Sequence, residues 1–571
     1  MMKRLLFCFL HSLFFISTAT AQLTIDGRHV CLDTVTNTLL ATIPENYFGQ
    51  SITLNVSLEP EWHSGMIDEI PIQQNYTFEH ITASQKYHIL LYQSNDSILD
   101  AQLQFTFLPI IQLKGDFGYD YQAGTVLFSD PSVPQSDTLT ATIKWRGGTT
   151  NAEGKHKRNY KIKLEADTTL LGMRNDNNWI LDAGQPDVFR MRNRIAMDIW
   201  NDMARKPYYA DLEPKARNGV SGRIVELFLN NEYRGFYNLS ENIDRKQLKI
   251  KKIDKETGSI RGCLYKGISW DNTQMFNILT DYDNKQESFK GYEVKYPDLN
   301  DSDTTDWLPL VFVSNTIRNM TEELFTQDAD QYVDLPVLAD YSIFLSVVNA
   351  LDNSGKNMFW AVYDKNITQK LTLAPWDLDC TFGQRWGGTL TPLDEEDPDI
   401  TSPDYLSDVD VYVFYRLYNY NAFQFNEQLN ERYLQLRKSG NVLSTDSLIS
   451  RVTYYYNTIK NSGAAQRETD KWSGDSDIWG DTIDFNQEYS YICHWINRHM
   501  EVIDSVGFPV FYNDSFFAPE KIQSVTADSH RHHQTYDLQG RIVSNPTKPG
   551  IYIRNGKKIL IGRSSLHDRL P

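Results

Sequence analysis

The stretch NALDNSGKNMFWAVYDKNITQKLTLAPWDLDCTFG, residues Asn349–Gly383, crowds carboxylates among apolar residues. Asp352 stands five residues before Asn357, at the end of the apolar segment VLADYSIFLSVVNAL, which reads as a helix. KLTLAP reads as a strand, and Asp377 and Asp379 follow it at alternate positions. Carboxylates at i and i+2 on extended backbone share a face, so both can reach one or two Mg2+ ions. An Asp in a loop after a helix can take the proton of an attacking hydroxyl while an Asn nearby helps hold the cation. A plain structural reading competes at each position. Asp352, Asn353 and Gly355 suit a turn that closes the helix, and an Asp after the strand suits a helix cap. Yet acids flanked by Trp and Pro would be buried charge without partners unless a cation or an Arg lay beside them.

A third constellation lies upstream in WRGGTTNAEGKHKRNYKIKLE. Gly147 and Gly148, next to Arg146, permit a turn that brings backbone N–H groups to an anion, and Lys161 and Lys163 lie on the strand that follows. A strand lysine facing a cleft suits phosphate, whereas a solvated basic face is the structural alternative. Together the three segments supply a phosphate anchor, a proton acceptor and metal ligands.

These motifs, with LLGMRNDNNWIL, RMRNRIAMDIWNDMA and VELFLNNEYRGFYNLSENID between them, resemble the CotH kinase family, the spore coat protein H type of secreted kinase-like proteins. The resemblance implies a divergent protein-kinase-like fold that binds ATP with Mg2+ or Mn2+ and phosphorylates Ser or Thr of an exported or surface protein. It implies Asp352 as the catalytic Asp, with the five-residue gap to Asn357 seen in the kinase motif H-R-D-L-x-x-x-N. Asn357, Asp377 and Asp379 become metal ligands, and Lys161, Lys163, Arg146, Gly147 and Gly148 the ATP-binding set. The chain also departs from ordinary kinases. NALD stands in place of His-Arg-Asp, no G-x-G-x-x-G-x-V loop occurs, and the helix expected at 188–204 has no Glu to pair with a lysine, which leaves Glu226 and Glu241 as candidates. A second functional reading keeps the fold without catalysis, as a surface binding or scaffold protein associated with glycans.

Around this middle region, 111–510, the chain is expected to be α+β with small all-β modules at both ends. MMKRLLFCFLHSLFFISTATAQ reads as a signal peptide, residues 1–21, with Lys3 and Arg4 before an apolar run and Ala19-x-Ala21 before the cleavage point. A membrane anchor would need a longer run, and no later segment provides one, so no transmembrane segment is expected after cleavage. Residues 22–110 read as a β-sandwich-like module of short Thr-, Ile-, Val- and Leu-rich strands. Within the middle region, strands are expected at TLTATIKWRG and NYKIKLEA, and a hairpin turning at Asn230-Asn231 in RIVELFLNNEYRGFYNLSE. A helix is expected at DVFRMRNRIAMDIWNDMA, with Val188, Met191, Ile195, Ile199 and Met203 as its apolar stripe. Two more are expected at FYRLYNYNAFQFNEQLNERYLQLRKS and QEYSYICHWINRHMEVIDSV.

Residues 511–533 read as a linker, whose His530, His532 and His533 are more simply solvated than metal-binding. Residues 534–571, with YDLQGRIV and KPGIYIRNGKKILI, form a β module that resembles the C-terminal sorting domain of Bacteroidetes proteins exported by the type IX system. That resemblance implies a cell-surface or extracellular location. A net charge of −18 repels phosphate backbones, so nucleic acid is not an expected partner. The acidic loops PDLNDSDTTDW and PLDEEDPDITSPD lack the spacing of an EF-hand and read as solvated. Cys31, Cys263, Cys380 and Cys493 are scattered, without metal or redox spacing, and read as mostly buried free thiols.

Overall fold

Alternation of buried and open side chains along short strands builds the first part of the chain, as in Tyr87–Tyr92, where every second residue is buried. The computed structural model describes residues 23–93, 98–269, 276, 278–393, 412–475, 483–508, 535–536, 543, 550–554 and 557–561. The expected signal peptide, linker and histidine patch, and most of PLDEEDPDITSPD, lie outside them.

Ten strands fill residues 23–106: β1 (Leu23–Ile25), β2 (Arg28–His29), β3 (Cys31–Asp33), β4 (Thr38–Thr42), β5 (Ile52–Leu58), β6 (Ser64–Ile67), β7 (Ile70–Pro71), β8 (Asn75–Phe78), β9 (Tyr87–Tyr92) and β10 (Ile98–Thr106). They form two sheets, in the orders β2-β1-β5-β8 and β3-β4-β10-β9-β6-β7. Leu39, Leu54, Val56, Phe78, Ile89 and Phe105 share one core with their neighbours.

The next seven strands are β11 (Ile110–Lys114), β12 (Gln122–Ser129), β13 (Ser136–Arg146), β14 (Asn159–Thr169), β15 (Asn175–Asp182), β16 (Gly222–Leu229) and β17 (Glu232–Ser240). They close into a barrel in the order β11-β12-β13-β14-β15-β17-β16. The parallel pairing of β11 with β16 completes it, from Ile110 against Glu226 to Leu113 against Leu229. The β16–β17 hairpin turns at Asn230 and Asn231, both at positive φ, as the sequence predicts. Inward residues such as Ile143, Ile162, Trp179 and Leu239 fill the barrel. The N-terminal sheets and the barrel share a small apolar cluster of Cys31, Leu40, Ile110, Phe228 and Tyr233, so the two pack together.

Outward residues Ile180, Ile224 and Phe236 belong to the largest core, together with the helix α1 (Arg192–Met203), through Ile195, Ile199, Trp200 and Met203. This helix starts later than its apolar stripe suggests. Asp187 accepts from the backbone N–H of Phe189 and of Arg192, which binds residues 187–191 into a turn and leaves Val188 and Met191 ahead of the helix. After the short α2 (Arg245–Leu248), a second sheet runs β19-β20-β18-β21-β22, from β18 (Cys263–Gly267), β19 (Ser288–Phe289), β20 (Tyr292–Tyr296), β21 (Met358–Asp364) and β22 (Thr368–Pro375).

Helices α3 (Leu308–Asn319), α4 (Glu322–Asp328) and α5 (Leu335–Val348) lie between β20 and β21 in sequence. The α5 helix is buried nearly all round, with Trp200 packed on its Tyr341 and Phe344. The remaining helices are α6 (Tyr412–Asn419), α7 (Phe425–Arg437), α8 (Thr445–Asn461), α9 (Ala464–Trp472) and α10 (Phe485–Val506). The single helix expected over 414–439 is thus two, because Asn421, Phe423 and Gln424 take positive φ between them. Strands β23 (Thr535–Tyr536), β24 (Gly550–Arg554) and β25 (Lys557–Ile561) form a separate three-stranded sheet in a second compact unit. The four cysteines among the described residues are free, and Cys31, Cys263 and Cys380 are buried.

Buried ion pairs join the barrel to the helices. Glu468 on α9 is fully buried and accepts from Lys157 Nζ at 2.7 Å, Arg190 Nε at 2.9 Å and the Phe236 N–H at 3.1 Å. Replacing Glu468 with Ala would strand two buried cations, which costs about 3–5 kcal/mol. Urea unfolding of Glu468→Ala is therefore expected to show a loss in that range, and a loss under about 1 kcal/mol would contradict the buried network.

Candidate functional site

The loop after α5 and the loop after β22 meet, as their sequence positions suggest. The α5 helix ends at Asn349 with positive φ, and the following loop runs through Asp352 to Asn357, also at positive φ. Asn tolerates this left-handed backbone better than most residues. Asp352 is buried, and three donors hold its carboxylate. Asn357 Nδ2 reaches Oδ2 at 2.8 Å, Lys356 Nζ reaches Oδ2 at 2.9 Å, and Trp386 Nε1 reaches Oδ1 at 2.9 Å. Asn353 ties the two loops together by donating to the carbonyls of Asn357 at 3.0 Å and Trp376 at 2.7 Å. The turn reading and the catalytic reading of Asp352 therefore describe one conformation, in which the turn aims the carboxylate.

The extended alternation expected across Asp377–Asp379 does not hold. The strand ends at Pro375 and Asp377 takes φ 59°, a left-handed turn. The two acids are nonetheless brought together, because Leu378 between them is fully buried. Its N–H donates to Asn193 Oδ1 at 3.1 Å, while Asn193 Nδ2 donates to Asp182 Oδ2 at 2.8 Å. Asn193, at the start of α1, thus couples the end of β15 to the Asp-Leu-Asp segment. Asp377 is open to solvent and Asp379 half-buried, and Asp377 lines a narrow gap with Arg146, Asp182 and Asn193. Burial pushes both carboxyls above the usual carboxylate range. Neighbouring Asp182 and Asp352 push them further, while Lys266 and Arg146 offset part of the rise at Asp377.

The opposite side of the site is cationic. On the barrel, Lys161 from β14 lies near Arg146 and Lys144 from β13, and Lys295 from β20 of the second sheet lies close enough to act on it. Burial, with these like charges, lowers its pKa to about 8. Lys266 from β18 is lowered by burial as well, against the attraction of Asp377. Arg146 stacks its guanidinium over the Trp376 ring at 5.6 Å, and a narrow gap lined by Arg146, Asn159, Asp182, Asn193, Trp376 and Asp377 separates barrel from loop. Among the described residues, Lys161, Lys266, Asp377 and Asp379 enter no ion pair within 4 Å, unlike the buried charges elsewhere.

The other expected residues lie differently. Lys163 is on the same outer face of β14 as Lys161 but stands in solvent. Gly147 and Gly148 are exposed, and their loop bonds to itself: Asn151 N–H to Gly148 O at 3.1 Å, Arg158 to Asn151, Asn159 to Thr150. Gly147 at φ 106° shapes the turn after Arg146, since a Cβ there would collide with Thr150 Oγ1. The described contacts do not carry either glycine to the carboxylates. Glu226 is held by Arg467 and Tyr233, and Glu241 by Arg217, so neither is a partner for Lys161. Its acidic neighbour is Asp244.

The sequence reading did not single out Asp182, Lys266, Lys295 or Trp386. Lys266 carried a signal, as the one charge in the otherwise apolar strand CLYKG. Among the described residues no three His, Cys, Asp or Glu side chains are gathered closely enough to hold a metal on their own. Two carboxylates of depressed acidity side by side do fit a hard divalent cation that completes its shell with water and substrate oxygens, as Mg2+ does.

The family model described as CotH kinase protein matches residues 143–503, well over half of the chain, from β13 through α10. A search of curated proteins gave no significant match.

Lys161 is a test of this electrostatic layout. Its folded pKa lies below the unfolded value, so it costs stability at neutral pH, and the cost fades as pH rises from about 8 toward the unfolded pKa of about 10.4. Lys161→Met is expected to raise the melting temperature of the protein at pH 7, with the gain shrinking toward pH 10. Calorimetry at both pH values checks it.

Proposed function

The chain belongs to the CotH kinase family, and from this premise we propose that it binds ATP with Mg2+ or Mn2+ and transfers phosphate to Ser or Thr of an exported or surface protein. The observation that carries the reading is a cluster of cations, Lys161 near Arg146 and Lys295, that reaches the adjacent acids Asp377 and Asp379 through Arg146 and Lys266, which act on Asp377 without an ion pair within 4 Å. Like charges held close together without counter-ions are costly. A nucleotide polyphosphate and a divalent cation supply what each side lacks.

Arg146, Lys161, Lys266 and Lys295 would receive the phosphates, since cations at fixed positions stabilise the charge of a transferring phosphoryl group. Asp377 and Asp379, with Asn357 and the neighbouring Asp182, would hold the metal, which when bound neutralises charge on the phosphate oxygens. Asp352 would accept the proton of the acceptor hydroxyl, because its carboxylate is aimed by Asn357, Lys356 and Trp386. Export is part of the same reading, supported by the signal-like start and the resemblance of the tail. No helix among the described residues is long and apolar enough to cross a membrane.

Purified protein with labelled ATP and Mg2+ or Mn2+ is expected to phosphorylate itself or dephosphorylated casein. Asp352→Asn should lose at least about a hundredfold in transfer while still binding nucleotide. Asp377→Asn should abolish the metal-dependent rise in melting temperature with ATP, which reports binding to the native state. Absence of both transfer and thermal shift in the wild type would favour the scaffold reading.

A further inference from the structure

Trp386 holds one oxygen of the proposed base and also presents an open aromatic face. Its Nε1 donates to Asp352 Oδ1 at 2.9 Å, yet the residue is 56% exposed, in a protein whose Trp179, Trp200, Trp307, Trp360 and Trp495 are fully buried. A tight loop carries it. Arg385 N–H donates to the Thr389 carbonyl at 2.7 Å, Gln384 and Leu390 form a β-bridge, and Thr391 N–H donates to the Gly383 carbonyl at 2.7 Å. Gly387 and Gly388, both at positive φ, make the turn beside the indole. The base of the loop is anchored on α10, where Tyr491 OH donates to the carbonyls of Gly383 and Thr391. A large apolar side chain fixed at its polar end and left open on its face has the form of a binding platform, since Trp contributes a wide contact area for little conformational entropy.

We propose that Trp386 is the residue that selects the phosphoacceptor, a peptide whose Ser or Thr is flanked by an apolar side chain. The inference rests on the kinase reading above and concerns the acceptor side of the same site. A carboxylate oxygen accepts more than one hydrogen bond, so an acceptor hydroxyl joins the indole N–H at Asp352 while the neighbouring side chain of the acceptor packs on the indole face. The indole thus positions the base and reads the residue beside the hydroxyl. In the transfer, the hydroxyl oxygen bonds to the γ-phosphorus, the bond from that phosphorus to the bridging oxygen of ADP breaks, and the hydroxyl proton passes to Asp352.

The test uses the full chain, dephosphorylated casein and two synthetic peptides with a central Ser, one with Leu and Phe flanks and one with Asp flanks. The wild type should favour the apolar peptide by about tenfold in kcat/KM. Trp386→Ala should erase the preference by raising KM for the apolar peptide about tenfold. Trp386→Phe keeps the face but loses the N–H, so its preference should survive with a reduced kcat. KM for ATP should stay within twofold of wild type in both variants. Transfer to casein without a preference between peptides, or a preference that survives Trp386→Ala, overturns this inference alone. A KM for ATP that rises with the loss of preference shows a merely structural role and also overturns it. A wild type that transfers phosphate to no acceptor removes the kinase reading, and this inference falls with it.

Discussion

The side-chain amide of Asn193 grips two pieces of the protein that are almost two hundred residues apart. Its nitrogen donates to Asp182 at the end of β15, and its oxygen accepts from the backbone of Leu378 between two carboxylates. The amide is short, so the distance between barrel and Asp-Leu-Asp segment is set by two hydrogen bonds rather than by a flexible side chain. Its own place depends on α1, whose Ile195, Ile199 and Trp200 are packed against the outer wall of the barrel and against α5. Hydrophobic burial thus fixes a helix, the helix fixes an amide, and the amide fixes the acids of the cleft.

Charges in this protein follow two different rules. Away from the cleft they are matched at close range: Glu468 with Lys157 and Arg190, Arg192 with Asp187 and Glu488, Asp340 with Arg205 and Arg432. Each such pair offsets its own desolvation with hydrogen bonds. In the cleft, the barrel and the second sheet present cations, and the loops after α5 and β22 present acids, without close pairing between Lys161 or Lys266 and Asp377 or Asp379. Desolvation, with neighbouring like charges, lowers the pKa of Lys161 and raises those of Asp377 and Asp379. Stability given up in this way at a concave site is the usual mark of a surface arranged for a charged ligand.

Legibility in the sequence varied with the range of the interaction. Asp352 and Asn357 could be read because they share one short loop, and their 2.8 Å hydrogen bond lies within it. The Asn230-Asn231 hairpin was readable for the same reason. Glu226 and Glu241 were plausible partners for a lysine on spacing alone, but Arg467 and Arg217 reach them first across the fold. The start of α1 was obscured because the Asp187 carboxylate captures backbone N–H groups that periodicity would have assigned to a helix. Lys266 and Lys295 sit on strands that no local pattern connects to Lys161.

By itself, the sequence determined the local elements and the chemical types available to the site: the alternating strands, the apolar helix before Asp352, and the carboxylates after β22. Such features depend on neighbours a few residues apart, and periodicity or turn chemistry records them directly. Only the tertiary structure decided which charges oppose one another, that the seven strands close into a barrel through β11 and β16, and that Trp386 reaches Asp352. Those outcomes join residues distant in the chain through packing, and no local pattern in a single sequence encodes the distance between them.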